Sequence, residues 1–248
     1  MKQSPKRHLP SMVTALNLFA GFLSVIHSIN EDFVTAAWLI VVAAIMDVLD
    51  GRVARLVKSS SEFGVELDSL ADISSFGFAP AILIYKSYFY SWGFVGIFLC
   101  FLPLVFGGIR LARFNTQVTA VTEKDSFFKG LPIPSSAISL AAFVVFEQST
   151  FGGFNHAEVL AGLTVLVSLL MVSKIRYEAM PTFSFKKHSD VVKIILIIVM
   201  LPLFAIYPSK VIFPGMMLFI VSGLVRAIID HFKHSDDDDE VSDIPAVE

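Results

Sequence analysis

Four aspartates, Asp47, Asp50, Asp68 and Asp72, interrupt long apolar runs within MDVLDGRVARLVKSSSEFGVELDSLADISSFG. A carboxylate at mid-bilayer costs roughly 2.5–3.5 kcal/mol on insertion scales, so four together demand compensation. Asp47 and Asp50 are three apart and Asp68 and Asp72 four apart. In helices each pair therefore occupies one face. Facing each other across a short turn near Gly64, two such helices gather four carboxylates in one polar pocket. Two divalent cations would neutralise them, and hard oxygen ligands suit Mg2+ or Mn2+. Gly51 and Ala54 leave the same face almost bare for a flat or bulky group. Arg55, one turn past Gly51, offers a planar fork for phosphate oxygens. Small residues also mark ordinary helix contacts, which is the better reading of Gly51 taken alone. The constellation as a whole reads as a two-metal site for a nucleotide.

The elements that must position these residues are membrane spans. The 248-residue chain is 55% hydrophobic and only 17% charged, with 24 phenylalanines, against about 25% charged in soluble domains. That excludes a disordered or polar binding module. A net charge of −3 leaves no electrostatic basis for binding nucleic acid. The lone Cys100 excludes an internal disulfide and reads as a buried small side chain. About eight stretches approach the roughly 20 apolar residues a spanning helix needs: 11–29, 33–57, 65–86, 92–113, 132–151, 155–173, 190–207 and 210–230. The first is too long for a signal-peptide core and reads as a retained span.

The predicted fold is an all-α polytopic bundle forming one domain over residues 1–235, with an acidic, unstructured tail at 236–248. With the N-terminus cytoplasmic, all but Lys86 and Lys210 of the 19 lysines and arginines fall on the cytoplasmic side, which puts both termini there. Asp47 lies 14 residues past Phe33, about 21 Å at 1.5 Å per residue, in a hydrocarbon core of about 30 Å. The acids thus sit toward the cytoplasmic face.

The string Asp47-x2-Asp50-Gly51-x2-Ala54-Arg55-x8-Gly64-x3-Asp68-x3-Asp72 resembles the signature of the CDP-alcohol phosphatidyltransferases at every position. Members of that family are membrane enzymes that move a phosphatidyl group from a CDP-linked lipid to an alcohol, releasing CMP. The resemblance implies that Asp47, Asp50, Asp68 and Asp72 bind the two metals and that Asp72 doubles as the base. Gly51, Ala54 and Arg55 would hold the cytidine diphosphate, with Asp50, Gly64, Thr14 and Asn17 completing the nucleotide side. For Asn17, helix–helix contact is an equal alternative.

The segments 9–22, 70–81, 108–115, 129–137 and 170–186 resemble the serine-using branch, the bacterial-type phosphatidylserine synthases. Many family members carry Pro-Asn where this chain has Pro10-Ser11, which weakens any role for position 11. The branch resemblance implies CDP-diacylglycerol and L-serine as substrates, a homodimer, and a bacterial inner membrane with the site facing the cytoplasm. Arg110, Arg113, Asn115 and Lys129 are the candidates for serine or phosphate. Arg113 and Lys129 read equally well as anchoring charges, whereas Arg110 lies deeper, where a cation is expensive.

Another alcohol, such as glycerol 3-phosphate or inositol phosphate, is the nearest alternative acceptor. An ion-coupled transporter would place its acids at the midplane, often within repeats; here they lie toward one face and no long repeat occurs. Glu147 reads as an interfacial charge, and the six histidines show no ligand spacing.

Overall fold

The structure is a computed structural model describing residues 9–57, 62–118, 127–178 and 206–242. Helix α1 (Leu9–Ile29) and helix α2 (Phe33–Val57) form a hairpin. The turn is tight: Glu31 takes a left-handed φ of 64°, and the Asp32 carboxylate accepts the Thr35 N–H at 3.3 Å at the start of α2. Ser24 ties the two helices by donating its hydroxyl to the Ala36 carbonyl at 2.8 Å.

The inward face of α2 is built from Ala36, Ile40, Ala43 and Ala44, all buried. Those positions step by three and four residues, and the same stripe continues through Asp47 and Asp50. The aspartates occupy the face that the alanines bring against the bundle.

Helix α3 (Glu62–Asp72) leads without a break into a π-helix (Ile73–Phe78), helix α4 (Ala79–Ile84), a second π-helix (Tyr85–Phe89) and a 3-10 turn (Tyr90–Trp92). The chain reverses at Gly93, whose φ of 58° suits glycine. Helix α5 (Gly93–Val118) then returns along this stretch. A Cβ on Gly77 would lie 2.9 Å from Leu104, and one on Gly107 would lie 2.5 Å from Ile133, so missing side chains set these close approaches.

Helix α6 (Ile133–Phe151) is buried on nearly every face and forms the centre of the bundle. It contacts α2, α4, helix α7 (Ala157–Val172) and helix α8 (Pro208–Ser242). Strands β1 (Phe127–Lys129) and β2 (Arg176–Glu178) pair antiparallel, Lys129 opposite Arg176. Tyr177 of this ribbon is 1% exposed. Its ring lies against Gly223 of α8, where a Cβ would come within 2.7 Å of Cδ1.

Four helical stretches among the described residues are long and apolar enough to cross a membrane: Ser11–Ile29, Phe33–Val53, Phe63–Thr116 and Pro208–Ile229. The chain is an α-helical integral membrane protein. The third stretch holds two of the expected spans, folded back on each other at Gly93. The expected span 190–207 lies outside the described residues except for its last two positions. Two differences from expectation stand out. The segments that flank the expected spans 132–151 and 155–173 pair as a short β-ribbon, an element the all-α expectation did not include. The α8 backbone also continues as helix through the acidic run to Ser242, where an unstructured tail was expected from 236; no Gly or Pro interrupts it there.

Candidate active site

The C-terminal half of α2 and the whole of α3 bring the aspartates together. Asp47, Asp50 and Asp68 each offer a carboxylate oxygen, and these three oxygens lie within 4.8 Å of one another. The Asp72 carboxyl lies beside that of Asp47. From α1, Thr14 hydrogen-bonds the Asp50 carboxylate, as does the Gly51 backbone N–H. Asp50 is 4% exposed, and the other three acids are half-buried.

Among the described residues this cluster is left unsatisfied: Asp50 Oδ2, Asp68 Oδ1 and Asp72 Oδ1 are buried with no hydrogen-bond partner there. At 4.8 Å two unit charges repel by roughly 3 kcal/mol even at an effective dielectric near 20. A buried acceptor left unpaired costs about 1–3 kcal/mol more. Carboxylate oxygens grouped this closely, with free lone pairs, fit a hard divalent cation.

The surroundings are asymmetric. Gly51 is exposed, and a Cβ built on it would meet no described atom within 4 Å. Helix packing, the better sequence reading of Gly51 alone, finds no partner for it among the described residues. Ala54 and Arg55 lie on the following turn of α2, with side chains outside the described residues. Gly64 sits partly exposed in the first turn of α3. Asn17 on α1 is fully buried, and neither its Oδ1 nor its Nδ2 has a partner among the described residues. Its backbone carbonyl accepts the Ser75 hydroxyl at 3.0 Å.

The four basic and polar candidates separate. Arg110 is half-buried on α5, interacts electrostatically with Asp72, and its Nε has no partner among the described residues. Arg113 donates from Nη1 to the Val172 carbonyl at 3.2 Å, tying α5 to the end of α7. Asn115 donates from Nδ2 to Ser69 Oγ at 2.9 Å, bracing α3 one residue past Asp68. Lys129 is exposed on the ribbon. Ser136 of α6, 1% exposed with a hydroxyl that has no partner among the described residues, carries no spacing signal that would single it out in the sequence.

Glu147 corrects its sequence reading. It is 1% exposed rather than interfacial. Tyr88 Oη donates to its Oε2 at 2.6 Å, and the backbone N–H groups of Asn155 and His156 reach the same oxygen at 3.1 and 3.5 Å. The His156 imidazole pairs with the other oxygen.

Residues 7–173 match the CDP-alcohol phosphatidyltransferase family. A CDP-diacylglycerol–serine O-phosphatidyltransferase of Helicobacter pylori (strain J99) is 37% identical over 230 residues, 92% of this chain and 94% of the relative. The enzyme of the same name from Bacillus subtilis (strain 168) is 31% identical over 73% of this chain and 93% of its own. An archaetidylserine synthase of Methanothermobacter thermautotrophicus is 36% identical over 68% of this chain and 69% of its own. With the match covering α1 to α7 and every aspartate of the cluster, this chain belongs to the CDP-alcohol phosphatidyltransferase family.

Proposed function

We propose that the protein transfers the phosphatidyl group of CDP-diacylglycerol to L-serine, giving phosphatidylserine and CMP. The observation that carries this reading is the buried aspartate cluster with unpaired oxygens, set beside the open face at Gly51. The serine assignment rests on the relatives, which carry serine in their names across more than nine tenths of this chain in the longest match.

Asp47, Asp50, Asp68 and Asp72 would hold two divalent cations, Mg2+ or Mn2+. Bound there, such ions supply charge neutralisation on the diphosphate and make CMP a good leaving group. The chain's own residues do the rest. The bare surface at Gly51 admits the nucleotide, with Ala54, Arg55, Gly64, Thr14 and Asn17 around it. Asp72 takes the proton of the serine hydroxyl as that oxygen attacks the phosphatidyl phosphorus and the bond to CMP breaks. Arg110, the cation that interacts with Asp72, pairs with the serine carboxylate or the phosphate. Arg113 and Asn115 hold helices in place, and Lys129 adds positive charge at the ribbon.

The reading includes eight spans, both termini and the active site in the cytoplasm, a bacterial inner membrane, and a homodimer. Purified protein in detergent, given CDP-diacylglycerol, Mg2+ or Mn2+, and one acceptor at a time, tests it. Release of CMP with serine alone is expected. Release only with glycerol 3-phosphate or inositol phosphate would overturn the acceptor, and no release with any would overturn the reaction.

A further inference from the structure

Helix α3 carries Asp68 and Asp72, yet its apolar side chains are largely turned outward. Phe63, Val65 and Leu70 are 70%, 50% and 64% exposed, so packing alone fixes its rotation weakly. Like charges on α2 and α3 also drive the two helices apart when no cation stands between them.

A hydrogen bond fixes the turn that bears Asp68. Asn115 Nδ2 donates to Ser69 Oγ at 2.9 Å, and the Ser69 hydroxyl donates in turn to the Val65 carbonyl at 3.1 Å. Its hydrogen is thus committed along α3, which leaves a lone pair for the amide of α5. Ser69 follows Asp68 directly. Any rotation of α3, or slide along α5, that breaks this bond therefore moves the Asp68 carboxylate as well.

The helix that supplies the amide is itself anchored. Leu111, one turn before Asn115, packs on the core, and Gly107, one turn earlier still, lies against Ile133. Arg113, Phe114 and Thr116 are exposed, whereas Asn115 is half-buried. Helix α5 thus addresses α3 twice, with Arg110 toward Asp72 by charge and with Asn115 beside Asp68 by way of Ser69.

The spacing offered Asn115 as a contact for serine or phosphate; its geometry points to another duty. We infer that Asn115 is a positioning residue, which holds Asp68 in the cluster through Ser69 and so sets how tightly the aspartates take up a divalent cation. The inference rests on the proposed cation role of the cluster for its ligand and on the Asn115–Ser69 bond for its route. Outer partners of metal ligands contribute about 10–100-fold in affinity, and one acting a residue away belongs at the lower end.

Mn2+ titrated into the metal-free protein in detergent, without substrate, reads that affinity through the paramagnetic resonance of the free ion. Asn115→Ala should weaken Mn2+ about tenfold, and Ser69→Ala by a similar factor. The double variant should bind no worse than the poorer single one, because both changes cut one bond. At saturating Mn2+, kcat should return to within about twofold of the parent with the serine KM unchanged.

Mn2+ affinity that both single variants keep overturns the inference. So do losses that add in the double variant, since they would act by a route other than Ser69. A serine KM that rises in Asn115→Ala while Mn2+ affinity holds would make Asn115 an acceptor contact instead. Should Asn115→Ala lower the thermal transition of the metal-free protein, Ser69→Ala, which trims one hydroxyl, decides the matter. A parent that takes up no Mn2+ would sink the cation reading itself, whereas variants that bind as well as a binding parent would sink the positioning role alone.

Discussion

A cluster of four carboxylates and a single buried one, Glu147, lie toward opposite ends of the same helical stretch. Asp72 and Tyr88 are 16 residues apart along it, about 24 Å. At the Tyr88 end, Glu147 has a partner for each oxygen, and they come from three places: the second π-helix, the turn after α6 and the start of α7. At the Asp72 end, three carboxylate oxygens have none among the described residues, and like charges crowd together. A buried carboxylate completed by its own protein is a staple. One left incomplete carries a standing destabilisation that a ligand can remove. The two ends should therefore answer mutation in opposite currencies, turnover at one and stability at the other.

The largest expected effect tests the Asp72 end. Asp72→Asn should lower CMP release by about 10²–10⁴, the usual contribution of a general base, while thermal unfolding of the metal-free protein is unchanged or slightly improved by relief of repulsion. Turnover within threefold of the parent would remove Asp72 as base. At the other end, Glu147→Ala strands Tyr88 and two backbone donors and should cost about 3 kcal/mol of stability, read as a lower transition temperature in detergent. A variant as stable as the parent would break the comparison.

Cation binding sharpens it further. Mg2+ at 100 times its dissociation constant should stabilise the protein by about 2.7 kcal/mol, and the gain should vanish in Asp68→Asn but survive in Glu147→Gln. The smallest effect belongs to Asp32 at the α1–α2 turn. Its hydrogen bond with Thr35, and then the nearby His27, hold its carboxyl below the usual carboxylate range. A depressed value in the folded state means the contribution is present above the unfolded value and lost as pH falls through the folded one. Asp32→Asn keeps the cap and should flatten that acid limb, whereas Asp32→Ala should cost about 0.5–1 kcal/mol at neutral pH.

The aspartates were legible because charge inside an apolar run is rare and needs a reason. Their common face followed from spacing, since the stripe Ala36, Ile40, Ala43 leads by threes and fours to Asp47 and Asp50. Glu147 was not legible. Its partners Tyr88 and His156 are 59 and 9 residues away, and one acid near a span end looks the same in sequence whether solvated or enclosed. The two π-helices were equally hidden, because an apolar run carries no mark of a widened turn. Gly51 shows the limit most plainly: glycine in a membrane helix signals a close neighbour or a cleared space. Gly21 and Gly107 turned out to be the first kind, whereas Gly51 meets none of the described residues.

The contact of Tyr177 with Gly223 gives the last helix a duty beyond anchorage. A buried ring from the ribbon fits where α8 has no side chain, so helix and ribbon interlock as key and notch. Removing α8 would bare that ring and release the strand that faces Lys129. Shortening the chain before position 223 is therefore a change to the β-ribbon, delivered from the far end of the sequence.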